Sequence, residues 1–459
     1  MIDVILETSD SPPIPVYALA ESEIAEFLTS APPFTRPFAT LSDFKGKAGQ
    51  VLVLPDAAGA LHSILFGLGA TPDAMSFRAL AAKLPPGVYK IAQAPAALSA
   101  DQIALAFALG SYRYDRYKAH SADRARLVVE GVDATEVIHV AHACALARDM
   151  VNTPANDMGP LQIETIAREI AEQFGAQISV IVGEGLLEAN YPAVHAVGRA
   201  ATEARAPRMI EITWGEADKP LIAVIGKGVV FDTGGLDIKP SAGMRHMKKD
   251  MGGAAHALAL GRMIMAANLP VRLVVLTPVV ENAISADAFR PGDVLASRKG
   301  LTIEVGNTDA EGRLILADAL ARASELEPVL TIDLATLTGA ARVALGPELP
   351  PFFTDDEELA ADIYKAAAAA GDPVWRLPLW KGYAPSLESD MADLRNDPDG
   401  WAQAGAMTAA LFLQRFAPSG PWVHFDIFAW NPRNRPGYLG GAEAQAIRGL
   451  YQMIRARFA

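Results

Sequence analysis

Cysteine is almost missing from this chain of 459 residues: Cys144 stands alone, so no intrachain disulfide can form. That fits a reducing cytoplasm. Long apolar runs are missing as well. No stretch reaches the roughly 18 residues needed to cross a bilayer, which excludes a membrane-spanning helix. The N-terminus, Met1–Glu7, is acidic and short of apolar length, so it does not read as a secretory signal. Histidine is scarce, at 8 residues. His139 and His142 are three apart and could share a helix face, but no third ligand stands nearby, so they read as ordinary core or surface histidines. Positive charge is in deficit, with 40 Lys and Arg against 53 Asp and Glu, a net charge of −13. That argues against broad nucleic-acid binding by electrostatics, although it leaves room for a local basic patch. Internal repeats and low-complexity tracts are also lacking.

What is present is enough apolar material, 51% of residues, to bury a large core. The length predicts two α/β domains. Residues 1–130 read as a smaller unit with strands at Gln50–Pro55 and His62–Gly69 and a helix at Asp101–Ser111. Residues 131–159 read as a linker: an alanine-rich helix over Asp133–Met150 with Asp133 as its cap, broken at Val151–Asp157. From 160 to 459 strand-like and helical segments alternate. Strands are expected at Gln177–Gly183, Arg208–Trp214, Leu221–Ile225, Leu273–Val280, Leu301–Val305, Leu330–Leu334 and Trp422–Phe428. Helices are expected at Glu164–Phe174, Gly253–Ala267 and Gly312–Leu326.

Chemistry concentrates at two turns. Asn307-Thr308-Asp309-Ala310-Glu311-Gly312-Arg313 places two carboxylates two residues apart between a strand and a buried helix. In extended backbone such residues point to one side, so Asp309 and Glu311 can face one cation. A solvated acidic turn is the bland alternative. Upstream, Lys227-Gly-Val-Val-Phe-Asp232-Thr-Gly-Gly-Leu-Asp-Ile-Lys239-Pro follows a buried strand, and Met247-Lys-Lys-Asp250-Met-Gly-Gly-Ala-Ala follows that. Ligands in open α/β sheets bind outside the carboxyl ends of strands. His424 and Asp426 alternate on the last strand and read as buried, satisfied polar groups.

With these segments in view, the chain resembles the leucyl aminopeptidases, cytosolic two-metal exopeptidases of peptidase family M17. Asn307–Arg313 matches the family signature word for word. Further agreement runs through Glu281-Asn282, Arg290–Val294, Asp333–Ala340 and Ser389–Leu394. The resemblance is strong from about residue 150 onward and weak before it. It implies a macro-like N-terminal domain for assembly or regulation, and a catalytic domain built on a central mixed β-sheet flanked by helices. It implies five ligands to two divalent ions: Lys227 and Asp250 at one, Asp309 at the other, Asp232 and Glu311 bridging. Charge counting agrees, because four carboxylates balance two divalent ions only if the lysine is neutral, and cations drive a buried lysine to lose its proton. The alternative is a protonated Lys227 among the carboxylates with no metal. Zinc, manganese or magnesium would suit the donors.

The resemblance further implies that Lys239 stabilises an oxyanion and that Arg313 holds a bicarbonate acting as general base. Met247, Thr336 and Gly339 match positions lining the pocket for the first side chain. The implied activity is removal of N-terminal amino acids from peptides with a free amino terminus, by a cytoplasmic homohexamer. Two other readings stand beside it: a DNA-binding or regulatory role on the same scaffold, and a non-peptidase dinuclear metallohydrolase. Gly437–Arg448 departs from the family pattern, which puts leucine preference in doubt.

Overall fold

The computed structural model describes residues 4–119, 123–398, 401 and 403–459. The chain divides into two compact units, Met1–Ala145 with Asn431–Gly441, and Leu146–Trp430 with Ala442–Ala459. The first unit carries a six-stranded sheet in the order Ile5–Leu6, Ala125–Val128, Gly87–Gln93, Ile14–Leu19, Leu61–Gly67, Val51–Pro55. Neighbours are parallel except at the last pair, which is antiparallel. Its helix Ala100–Gly110 starts at Ser99, whose Oγ accepts from Gln102 N at 3.2 Å. The helix Ala134–Asn152 carries the chain from one unit into the other. Asp133 caps it as expected, with Oδ1 accepting from Glu136 N at 3.0 Å.

The second unit is built on a mixed sheet. Its centre is parallel: Trp422–Asp426, Leu330–Ala335, Leu221–Gly226 and Arg272–Asn282, in that order. Arg208–Trp214 and then Gln177–Val182 extend one edge antiparallel. Leu221–Gly226 reads Leu-Ile-Ala-Val-Ile-Gly and is buried at all but its first residue. A run with no polar alternation is what a strand covered on both faces requires. Each fully buried isoleucine or valine there is worth roughly 1.5–3 kcal/mol. The helices Gly252–Ala266 and Gly312–Ser324 pack against this centre, almost wholly buried.

Two local features differ from the sequence expectation. A strand that the sequence reading did not separate, Gly228–Asp232, follows Leu221–Gly226 after the single residue Lys227. Both pair in parallel with the eleven-residue strand Arg272–Asn282, the first along its beginning and the second along its end. And the strand before Asn307, observed at Thr302–Glu304, is not in the main sheet. It belongs to a small three-stranded sheet with Val294–Ala296 and Leu394–Arg395.

Candidate active site

The site forms where the central strands end. Lys227 leaves Leu221–Gly226 and is locked there by backbone bonds: its N–H donates to Leu334 O at 3.0 Å, and its carbonyl accepts from Ala254 N at 2.7 Å. This fit depends on close backbone approach. A Cβ on Gly253 would stand 2.1 Å from Leu334 O, and one on Gly312 would stand 2.5 Å from Lys227 Cε. Only glycine permits those contacts.

Lys227 Nζ lies 2.7 Å from Asp250 Oδ2, 3.0 Å from Glu311 Oε1 and 3.2 Å from Thr336 O. Lys239 Nζ lies 2.8 Å from Asp232 Oδ2 and also pairs with Asp309 Oδ1. Asp232, Asp309 and Glu311 each offer one oxygen, and the three oxygens lie within 4.8 Å of one another. Asp250 joins them through Lys227. Asp309 and Glu311 converge, but not by the extended geometry expected of them. Asp309 sits in a turn, and Glu311 has αR backbone (φ −75°, ψ −34°) as the residue capping Gly312–Ser324. The turn and the helix start together swing the two carboxylates to one point.

Electrostatics mark this cluster as built for cations. Burial first and Asp232 second push the Glu311 carboxyl up to about 8, and the same two causes push Asp309 up to about 6. Burial opposes the charge on Lys227, but Asp250, Glu311 and Asp232 outweigh it and hold the ammonium above the ordinary lysine range. For Lys239, burial is likewise outweighed, chiefly by Asp232 and Glu311. So among these carboxylates alone Lys227 is charged; the neutral amine that a ligand requires arises only against divalent cations. Asp250 Oδ2, Asp309 Oδ1 and Glu311 Oε1 are buried without a hydrogen bond among the described residues. Their close ionic partners are ammoniums, Lys227 on Asp250 and Glu311 and Lys239 on Asp309. Buried carboxylate oxygens left in this way fit metal ions.

Arg313 is 7% exposed. One Nη donates to Asn396 O at 2.7 Å, while Nε has no partner. Among the described residues it forms no ion pair with the adjacent carboxylates. A buried, under-partnered guanidinium fits a small anion such as bicarbonate.

Lys227, Asp232, Lys239, Met247, Asp250, Asp309, Thr336 and Gly339 line one cavity of about 330 Å³. Glu311 and Arg313 are not on its wall. Thr336 Oγ1 donates to Asp250 Oδ1 at 2.9 Å, so its hydroxyl is committed to orienting that carboxylate. Asp426 is satisfied, accepting from Leu337 N, Thr338 N and Thr338 Oγ1. His424 is not fully so: Nδ1 lies 2.5 Å from Asp333 Oδ1, but Nε2 is buried without a partner.

Three framing residues had no role in the sequence reading. Asn282, fully buried, donates from Nδ2 to Asp232 Oδ1 at 2.9 Å and to Thr308 O at 3.1 Å. Thr308 donates to Gly234 O and accepts from Asp237 N. Asn396 clamps the signature loop: its Oδ1 accepts from Gly306 N and Asn307 N, and its Nδ2 donates to Asn307 O and Ala310 O. Asn282 and Asn396 lie beside or within the matched segments, and that position was the only available signal.

Comparison with known proteins agrees with this geometry. The sequence model described as the cytosol aminopeptidase family, catalytic domain, matches residues 145–451, and the one described as the M17 aminopeptidase N-terminal domain matches residues 14–130. A probable cytosol aminopeptidase of Syntrophotalea carbinolica is 38% identical over 449 residues, covering 90% of this chain and 89% of that protein. The crystal structure of a cytosol aminopeptidase from Coxiella burnetii superposes with TM-score 0.93 at 42% identity, covering 99% of both chains. The bottromycin maturation enzyme BotP, in a complex with Mn, superposes with TM-score 0.86 at 33% identity, covering 98% of this chain and all of that one. Matched along both its units, and carrying the acidic cluster where the sheet ends, the chain belongs to the cytosol aminopeptidase family.

Proposed function

We propose that this chain removes the N-terminal residue of peptides by hydrolysis at a two-metal centre. It is a metal-dependent aminopeptidase of its family, and the comparisons lend no support to a DNA-binding role or to a non-peptidase hydrolase. The observation that carries the residue assignment is the convergence of Asp232, Asp309 and Glu311 oxygens within 4.8 Å beside a buried lysine. In this reading Lys227, Asp232, Asp250, Asp309 and Glu311 would hold the two ions, Lys227 and Asp250 serving one, Asp309 the other, and Asp232 and Glu311 both. Bound there, the ions would supply an acidic water, a polarised carbonyl and a grip on the substrate's free amine, and a bicarbonate held by Arg313 would supply a proton acceptor.

The chain's own groups do the rest. Lys239 brings a fixed ammonium to the cavity wall, where it stabilises the charge that develops on the carbonyl oxygen. Arg313 holds its anion with a guanidinium that Asn396 has already oriented. Met247, Thr336 and Gly339 shape the space for the first side chain. BotP, described in a complex with Mn, supports manganese as one competent ion; zinc and magnesium are the others to try. We extend the family reading to a cytoplasmic homohexamer, which sedimentation and fractionation would check. Among the described residues no helix is long and apolar enough to cross a membrane.

The test is turnover of aminoacyl substrates with zinc, manganese and magnesium in turn, each substrate also offered with its amine acetylated. Acetylation is expected to abolish cleavage, since a blocked amine cannot coordinate. Efficient hydrolysis of the acetylated forms would sink the exopeptidase assignment.

A further inference from the structure

The cavity wall holds two cations that the proposed reaction does not use. Lys249 is buried, its side chain 7% exposed. Among the described residues its ammonium has one ionic partner, Asp250 Oδ1, at a loose 3.5 Å. That carboxylate is already engaged by Lys227 at Oδ2 and by Thr336 at Oδ1. Arg342 is exposed on the short helix Gly339–Leu345, and its guanidinium makes no hydrogen bond or ion pair among the described residues. Both charges stand on one aromatic ring: Lys249 Nζ is 5.3 Å and Arg342 Cζ 4.8 Å from the centre of Phe428. All three residues line the cavity that Asp232, Asp250 and Asp309 also line.

Asp250 and Asp426 are the carboxylates that act on Lys249, and both have other partners. Asp426, the nearby carboxylate outside the cluster, is taken by Leu337, Thr338 and its hydroxyl. His246, also on the wall, is held below its ordinary range by burial and then by Arg245, Lys248, Lys249 and Arg342. In a chain of net charge −13, Lys249 and Arg342 bring two positive charges to the stretch of wall around Phe428. A cavity-lining ammonium with one loose ionic partner can take a further acceptor from a guest.

We infer that Lys249 and Arg342, arrayed on Phe428, form an anion-recognising wall that selects substrates carrying a carboxylate close to the free amino terminus. The inference rests on the aminopeptidase reading and names its substrate class. The carboxylate has two possible sources: the side chain of an acidic first residue, or the α-carboxylate of a dipeptide. A charge-assisted hydrogen bond to the guest is expected to give a selectivity of about tenfold or more.

The experiment uses the full-length, metal-loaded enzyme and compares kcat/KM within matched pairs. Glu- against Gln-aminomethylcoumarin, and Asp- against Asn-, read the side chain. Leu-Gly against Leu-Gly-amide reads the α-carboxylate. At least one class of pair is expected to favour the acid about tenfold, and the class that does so identifies the source. Arg342→Gln and Lys249→Met should each pull that ratio toward one. Because the readout is a ratio, a general loss of activity cancels. Arg342 is exposed, so its variant serves alone if Lys249→Met does not fold. Turnover of the neutral partners with no acid preference in any pair, or a preference that Arg342→Gln and Lys249→Met leave intact, overturns the inference while the aminopeptidase stands. Failure to turn over any substrate with a free amine would instead remove the aminopeptidase reading itself.

Discussion

The acidic cluster has two halves that differ in burial. The inner half is Lys227, Asp250 and Glu311, with side chains 3%, 3% and 1% exposed. The outer half is Lys239 and Asp309, at 15% and 32%. Asp232 belongs to both. The inner lysine springs from the end of the central strand and is fixed by backbone bonds on both sides. The outer pair sits on loops. The difference teaches that the two lysines, alike in charge and in carboxylate neighbours, are suited to opposite tasks. A nitrogen donor held rigidly and dry suits a ligand, whereas an ammonium on the wet side of the cavity suits transient charge on a substrate.

The sharpest way to break this comparison is Lys239→Ala. It should lower kcat by about 10²–10³, the scale for losing one preorganised oxyanion donor, with metal content unchanged. Loss of metal in that variant would make Lys239 part of the inner task. Next is Lys227→Met, which keeps the stem and removes the nitrogen. The inner site should hold zinc more tightly than the outer, because zinc accepts nitrogen readily while harder ions prefer oxygen. Dialysis against a weak chelator should strip the outer ion of the wild type first, and the variant should retain less zinc. If both wild-type ions leave together, or the variant keeps zinc as well as wild type, Lys227 is no ligand.

A third effect tests the support behind the inner half. His256 lies on Gly252–Ala266, with Nδ1 donating to Gly252 O at 2.7 Å and Nε2 accepting from Gln445 N at 3.0 Å. A second ring proton would face that N–H. Burial lowers its pKa to about 4. The folded state then binds fewer protons than the unfolded one, so its contribution is complete above about 6.5 and is lost as pH falls toward 4. The expected slope from one such group is about 1.4 kcal/mol per pH unit in that window. His256→Gln should flatten the denaturation midpoint across it; an unchanged slope would place the acid sensitivity elsewhere. The smallest effect concerns the outer half. Thr308→Val removes two hydrogen bonds and should cost about 1–3 kcal/mol, read as a shifted urea midpoint at constant slope. A cost below a few tenths would mean the outer loop is held by other contacts.

Much of this was legible because it is local. The central strands are continuous apolar runs, and the signature places Asp309, Glu311 and Arg313 in one heptapeptide. The alternation of strands and helices was readable for the same reason, whereas the central mixed sheet followed from the family resemblance. The convergence of Asp309 and Glu311 was anticipated, but through the wrong backbone: periodicity cannot tell a turn entering a helix from an extended end. Gly228–Asp232 was hidden because one lysine separates two apolar runs, and only the shared partner strand reveals the break. Asn282, 50 residues from Asp232, and Asn396, up to 90 from the loop that it clamps, act across distances that no local pattern encodes. Phe428 reads as a strand residue until its two cations are seen beside it.

Arg272–Asn282 pairs with both strands that flank Lys227, in one unbroken run. It therefore works as a ruler for the chain on either side of Lys227, with one irregularity of register between Val229 and Asp232. Such a ruler has consequences for how the chain tolerates change in length. The turn around Ala283–Asp287, exposed at most positions, can gain or lose a residue and leave the ruler's marks where they are. A single residue deleted within 272–282 would shift one set of marks against the other and reverse the facing of every side chain beyond it. Insertions should thus be absorbed after the strand and be fatal to activity inside it.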